Sequence, residues 1–475
     1  MNAIAKILFV FAAWLLTNNL TKAQIITWSR VYGGSSPEYG RYGIQTFDGG
    51  YIITASRHSQ GYGNLLLKLN SYGIEEWSRI IDTVGLGICI QQTKDSGYIL
   101  AGGSSGFAML QKTDKSGNVL WKRLYTINNE GSTFSKVKIT SSGDLIMCGV
   151  ISFPSKAFVV KTDSNGEVIN NLSFPYNTFP ADAYDICESN DRFFYLTGIA
   201  EVNNKVKTLI AKISSNIQLM WTKSYGTEGE GDSQAGVSII SDSDTDLFLT
   251  GQYSYFYSSE AHFTKIDSSG NVIFQNVLHQ TNSSNEMCKT KNEDFAIIGE
   301  FATTSDDIIF LLLNKKGEVV SRKLFNSNGF EGDFSHSIIE SMDKGFLITG
   351  FTSYLNTSQL DYNIFVIKTD SLGNAPVSIK TISTVTPDSY KLYQNYPNPF
   401  NSQTKIKFDL KNSQSIIITL FDVNGKKIKS LFEGNIYSGT YDINFNSLEF
   451  PSGVYFYSLI LNNNIIDTKR MIILK

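Results

Sequence analysis

The chain has 475 residues, 41 Lys and Arg against 44 Asp and Glu, 13% aromatic residues, 38 glycines and four cysteines. That length exceeds what one core usually supports, so two folded units are expected, and the glycine and aromatic content favours strands and turns. A net charge of −3 with no dense Lys/Arg run offers nothing to neutralise a row of phosphates, which argues against nucleic acid as a partner.

The N-terminus places Lys6 before an apolar run over residues 7–16 and then Thr21-Lys22-Ala23, with small residues three and one positions before a cut after Ala23. This is the layout of a cleaved secretory signal over residues 1–23. A membrane anchor would need about 20 apolar residues, roughly twice this run. No cysteine follows the cut, so a lipid anchor is not supported, and no integral membrane segment is expected after signal removal.

Residues 25–374 are periodic. Short apolar strands end at Ala55, Gly102, Gly149, Gly198, Gly251, Gly299 and Gly350, 47 to 53 residues apart. Each is followed by a second marker such as Lys68-Leu-Asn, Lys112-Thr-Asp, Lys161-Thr-Asp or Lys368-Thr-Asp, usually with a glycine three residues after the Asp or Asn. Seven copies of a four-strand unit near 50 residues long predict a seven-bladed β-propeller. In the first copy, residues 42–47 read as the inner strand, 51–55 and 65–69 as the middle strands and 76–80 as the outer strand, with turns at Asp48-Gly-Gly50 and Asn70 to Gly73. Trp77, Trp121 and Trp221 each fall four residues after a turn and are expected to pack between neighbouring sheets. Residues 26–32 form an outer strand with no blade before it, while the last copy lacks one. The N-terminal strand should therefore complete the seventh blade and remove two free sheet edges. Cys187 and Cys288 occupy equivalent positions in non-adjacent copies, so the cysteines are expected as buried thiols rather than disulfides.

Several motifs in the repeats invite a chemical reading. Gly102-Gly-Ser104-Ser-Gly106 has the letters of a nucleophile elbow, but that elbow needs a strand running into a helix, and residues 107–113 read as another strand. Asp242-x-Asp244-x-Asp246 begins like a calcium loop but has Leu247 and Tyr253 where the turn Gly and the bidentate Glu belong, so a hairpin turn is favoured. Turns such as Asp114-Lys-Ser-Gly117 resemble the Asp-box of sialidases and the tryptophan-docking repeats of quinone-dependent dehydrogenases, with different spacing from both. The four histidines are scattered, so no metal site and no cofactor is expected. One recurrent pattern is not required to build a blade: acid beside glycine between outer and next inner strands, at Glu38, Glu130, Glu230 with Asp232, and Glu331 with Asp333. In a propeller these connections share a rim with the loops after the second strand, which carry Tyr62, Phe107, Phe153, Tyr255, Tyr257 and Tyr354. Acceptors beside aromatic faces suit sugar rings, although Glu-Gly is also ordinary turn chemistry.

Residues 375–392 contain Pro376, Pro387 and many Ser/Thr without either marker series and read as a linker. Residues 393–475 offer alternating strands consistent with a small antiparallel sandwich. They open on Tyr393-Gln-Asn-Tyr-Pro397-Asn398-Pro399-Phe400-Asn401, pass through Leu420-Phe-Asp-Val-Asn-Gly425-Lys, Gly439-Thr-Tyr-Asp-Ile443 and Pro451-Ser-Gly453-Val-Tyr455-Phe-Tyr457, and close on Lys469-Arg-Met471 to Lys475. This series resembles the type A C-terminal sorting domain of the bacterial type IX secretion system. The resemblance implies an immunoglobulin-like fold and recognition by the type IX machinery and its sorting peptidase. It further implies a secreted protein, or one attached to surface polysaccharide on the outside of a Gram-negative cell. Pro397, Asn398, Pro399, Phe400, Gly453, Tyr455, Lys469 and Lys475 would carry the signal.

The chain is thus expected to be all-β, with a seven-bladed propeller followed by an immunoglobulin-like sandwich. Its cargo reads as a binding module for extracellular glycan or protein. A polysaccharide hydrolase or lyase using Glu230 and Glu331, or a structural surface protein without a small ligand, are the alternatives. No complete catalytic constellation is visible.

Overall fold

In a computed structural model of the chain, the structure describes residues 27–33, 36–58, 62–127, 130–152, 155–174, 181–226, 233–255, 258–301, 307–325, 332–356, 359–375, 379–383, 387–401, 403–412, 414–436, 438–447, 450–461 and 464–475. Among the described residues there is no helix, and nine four-stranded antiparallel sheets account for the regular structure. Seven are propeller blades. Their inner strands are Glu38–Gln45, Gly85–Gln92, Ser132–Ile139, Ala181–Glu188, Ser233–Ser241, Ser283–Lys289 and Gly332–Glu340, in blades 1 to 7.

Within a blade the sequence pattern fixes burial. The second and third strands are covered by a neighbouring blade on each face and so are almost continuously apolar; Asp307–Leu313 of blade 6 is buried throughout. The outer strand meets solvent and is largely exposed, as in Val119–Tyr125. The turn into it is built by one side chain: Asp114 Oδ1 accepts the amides of Ser116 and Asn118, both at 2.8 Å, while Gly117 takes φ +78°. The recurrent lysine ties the third strand to the first hairpin turn, Lys112 Nζ lying 2.8 Å from Asp95, with equivalent pairs at Lys68 with Asp48 and Lys368 with Asp343.

The tryptophans do join the blades. A side chain on turn glycine Gly117 would run into Trp77 of the preceding blade; Gly166 stands in the same relation to Trp121, Gly270 to Trp221, and Gly73 to Trp28. The last of these is the closure. Trp28–Tyr32 pairs antiparallel with Gln359–Lys368, Trp28 opposite Lys368 and Tyr32 opposite Ile364, so the seventh blade draws its outer strand from the N-terminus. All four cysteines are free thiols, and burial pushes each of them up from the ordinary thiol range.

The last two sheets form the C-terminal sandwich. One holds Ile379–Ser383, Gly439–Asn446, Gln403–Leu410 and Lys391–Leu392; the other holds Lys427–Ile436, Gln414–Phe421, Gly453–Leu461 and Asn464–Ile473. A common core of Ile406, Phe408, Ile418, Leu420, Ile443, Phe445, Tyr457, Leu459 and Met471 lies between them. Residues 375–392 differ from the linker expected there. Ile379–Ser383 pairs with Gly439–Asn446 as an edge strand, which a Pro- and Ser/Thr-containing stretch can do because only one side of it must hydrogen-bond.

Candidate functional site

Every inner strand carries a β-bulge at the same place. Pairing with the second strand skips Arg41, Ile88, Ser135, Tyr184, Val237, Asn285 and His336 in blades 1 to 7. A bulge turns two successive side chains toward one face. Repeated around the ring, it aims the unpaired residue at the central axis. The seven unpaired residues all line a cavity of about 650 Å³.

The second positions of three bulges, Tyr42, Lys136 and Glu286, form the floor. Lys136 of blade 3 reaches across the axis to Glu286 of blade 6, with Nζ 2.6 Å from both carboxylate oxygens. Tyr42 of blade 1 donates its hydroxyl to Glu286 Oε1 at 3.3 Å, and its ring lies 4.5 Å from Lys136 Nζ. These three side chains are buried, at 6, 4 and 6% exposure for Tyr42, Lys136 and Glu286. Burial alone would lower the Lys136 ammonium, but the Glu286 carboxylate overrides it and holds Lys136 well above the usual lysine range. Burial, with Glu286 adding to it, pushes the Tyr42 phenol well up. Asp185, the equivalent residue of blade 4, accepts the Ser238 hydroxyl at 2.9 Å and the amides of Ile239 and Ile186 at 3.0 and 2.9 Å. No described residue further along any inner strand lines the cavity, so the Lys136 to Glu286 bridge closes its inner end and the space is a cup.

The mouth lies where the inner strands begin. Phe334 and Phe351 stack there at 4.8 Å between ring centres. Arg41 donates Nε to Ser56 Oγ at 3.1 Å, and its Nη1 lies 3.1 Å from His336 Nε2. Burial and the adjacent guanidinium push His336 down to about 3, so its ring is neutral and accepts from Arg41. In the neighbouring blade 6, Glu300 accepts the Ser283 hydroxyl and the Asn285 amide, each at 2.7 Å.

Of the acid-beside-glycine residues, the described Glu38, Glu130 and Asp333 are in a different state from that expected of free rim acceptors. Glu38 begins the inner strand of blade 1, is 8% exposed, and pairs with Arg57 at 3.5 Å. Asp333, its equivalent in blade 7, is buried at 3%. Glu130 pairs with Lys156 at 3.4 Å. Glu230, Asp232, Glu331, Tyr257, Phe153 and Ala23 lie outside the described residues, and of Tyr62, Tyr255 and Tyr354 only the backbone is described. Asp242 Oδ1 accepts the amides of Asp244 and Asp246, and Asp246 pairs with Lys265 at 2.7 Å, so this turn is closed by its own groups. No cluster of three or more potential metal ligands occurs among the described residues.

The cup residues were not singled out in the sequence, though a signal for them exists. Arg41, Ile88, Ser135, Tyr184, Val237, Asn285 and His336 each lie fourteen residues before the small residue that marks its repeat, and Tyr42, Lys136, Asp185 and Glu286 lie thirteen before it. Reading across the copies at fixed offset finds the ring.

At the other end of the chain, the residues expected to carry the sorting signal converge although they are some 70 positions apart. Asn398 accepts the Ile472 amide at 2.8 Å and donates to the Arg470 carbonyl at 3.0 Å. The Phe400 amide donates to Ile472 O at 3.1 Å and the Leu474 amide to Phe400 O at 2.8 Å, while the Phe400 ring enters the sandwich core. Tyr455 stands opposite Met471 and donates its hydroxyl to Pro451 O at 3.0 Å; the Lys475 amide donates to Ser452 Oγ at 2.9 Å beside Gly453. Pro397 and Pro399 flank Asn398 in this seam, and Lys469 pairs with Asp467 on the last strand. Residues 394–474 match the family described as the secretion system C-terminal sorting domain. They are a type IX sorting domain. The sorting domain marks the protein for export, with attachment to or release from the outer cell surface, and implies interaction with the secretion machinery. Among the described residues no helix is long and apolar enough to cross a membrane.

No curated protein matches the chain. Among solved structures, the chain is similar to a catalytically inactive virginiamycin B lyase from Staphylococcus aureus with quinupristin, at 11% identity, covering 72% of this chain and 99% of that one, with a TM-score of 0.49. It is also similar to the Neurospora crassa Pan2 WD40 domain, at 9% identity, 73 and 96% coverage and a TM-score of 0.46. A protein of unknown function from Bacteroides caccae aligns at 11% identity, 61 and 94% coverage and a TM-score of 0.38. At these identities and TM-scores none of them bears on activity.

Proposed function

We propose that the propeller is an extracellular binding module that takes a glycan into the cup, delivered to the cell exterior by the sorting domain after cleavage of a signal peptide at Ala23. The observation that carries this reading is the mouth of the cup. It presents hydrogen-bonding groups from Arg41, Asn285 and Glu300 beside the stacked Phe334 and Phe351 faces, in a volume typical of small-ligand sites. Binding is favoured over hydrolysis because the carboxylates lining the cup are engaged. Glu286 is clasped by Lys136, and Glu300 holds Ser283 and Asn285, so the cup presents no pair of free carboxylates of the kind a glycosidase uses. By the same family resemblance, the sorting peptidase removes the tail, and surface polysaccharide is the attachment point for what stays on the cell.

Incubating the purified mature protein with a glycan panel, with retention and product formation followed in the same samples, tests this reading. Saturable retention without new reducing ends is expected. Turnover lost on replacing Glu230 and Glu331 together would establish the hydrolase alternative instead. Absence of any retention would remove the glycan assignment.

A further inference from the structure

Among the described residues the cup holds one cation without a counter-ion. Lys136 is matched by Glu286 at 2.6 Å, whereas the half-buried Arg41 guanidinium makes only neutral contacts: Ser56 Oγ, the neutral ring of His336, and the Tyr39 ring, 5.8 Å from its centre. It forms no ion pair among the described residues. Among the described residues only its Nε and Nη1 have hydrogen-bond partners, and it lines the cavity directly. A guanidinium removed from water without an acid beside it is costly to hold, and burial accordingly pulls Arg41 below the usual arginine range. An Arg in this state is matched by a carboxylate supplied by a ligand, since the planar fork suits two coplanar oxygens. Glu300, two blades from Arg41 around the ring, already holds two donors and keeps further lone pairs for hydroxyls.

We infer that the cup recognises an acidic sugar, and that Arg41 binds its carboxylate while Glu300, Asn285 and the Phe334 and Phe351 faces take up the ring. This rests on the glycan reading above and narrows it to a uronic-acid class of ligand. Arg41 is pre-positioned for the task, because Ser56 and His336 fix the orientation of the guanidinium through Nε and Nη1.

The test uses the full mature chain and three probes, glucuronate, glucose and acetate, with binding measured by calorimetry and by ligand-induced rise in unfolding temperature. Wild type should bind glucuronate about tenfold or more tightly than glucose, the difference expected from one charge-assisted pair. Acetate should produce a smaller, saturable rise. Arg41→Met should make glucuronate and glucose equal and abolish the acetate response, and Arg41→Lys should leave a reduced preference. Unchanged urea midpoints for either variant show that its fold is intact, and if Arg41→Met fails to fold, the Lys variant and the wild-type ratio decide. Equal affinity of wild type for glucuronate and glucose overturns the inference and leaves the glycan reading standing. A preference surviving in Arg41→Met overturns it as well. If acetate responds through Arg41 while neither sugar binds, the anion site stands and the glycan reading falls; if no probe responds, both fall.

Discussion

Replacing Lys136 by Met isolates the floor of the cup. Met keeps most of the side-chain length but leaves Glu286, at 6% exposure, with only the Tyr42 hydroxyl at 3.3 Å. A buried carboxylate stripped of its partner costs about 3–5 kcal/mol. Glu286 can escape that cost by taking up a proton. At pH 7, protonating a carboxyl whose ordinary value is 4.5 costs about 3.4 kcal/mol at 1.36 kcal/mol per pH unit, which caps the charge penalty near the lower end of that range. The sign with pH follows. In the variant the folded state holds the proton more tightly than the unfolded chain, so its deficit is largest at neutral pH. The deficit shrinks as pH falls towards the ordinary glutamate value, to under about 1 kcal/mol near pH 5. In the wild type the raised Lys136 value means that the lysine's contribution is fully present below its ordinary value near 10.5 and is lost as pH rises through its raised folded value. Urea unfolding followed by tryptophan fluorescence reports the propeller alone, because Trp28, Trp77, Trp121 and Trp221 all lie in it and the sorting domain has none. The double variant Lys136→Met with Glu286→Gln should recover to within about 1 kcal/mol of wild type and lose the pH dependence. A deficit equal at pH 5 and pH 7, or a double variant no more stable than the single one, would refute the reasoning.

Asp95→Asn should cost less than about 1 kcal/mol at pH 7, because its carboxylate is mostly exposed. Burial opposes ionisation there, but Lys112, Thr93 and the Gly97 amide hold the Asp95 carboxyl at about 2; the wild-type advantage should be present above pH 4 and vanish as pH falls to 2. Trp28→Ala removes the ring that packs on Gly73 and the indole donor to Ser71 O at 3.1 Å, and should destabilise the propeller by about 3–5 kcal/mol, checked by the urea midpoint. An unchanged midpoint would mean that the closing strand contributes little. In the sorting domain, Asn398→Ala cuts the bonds to Arg470 and Ile472, and should lower surface-exposed protein in cell fractionation while the propeller's urea midpoint stays the same. Full surface display of that variant would separate the seam from sorting.

Much of this architecture is readable because it repeats. A strand-ending small residue in every copy, glycine in all but the first, and a second marker led by lysine in all but the sixth suffice to count the blades, and the leftover segment at residues 26–32 tells how they close. The cup was harder to see for a physical reason. A bulge leaves no composition of its own, since its residues range from Arg41 to Ile88 to Val237, and it becomes visible only when equivalent positions of all copies are laid side by side. Acid beside glycine was more conspicuous, yet burial and Arg57 engage Glu38 in the wall itself. Ile379–Ser383 escaped notice because an edge strand needs neither strict alternation nor a full set of backbone donors.

Latching the first strand of the mature chain to the last hairpin of the propeller also sets a timetable. Trp28 cannot find Lys368 until some 340 intervening residues have emerged, so the barrier to completing the circle includes a long search between distant partners. Until that last hairpin exists, the head has nowhere to dock and the circle stays open.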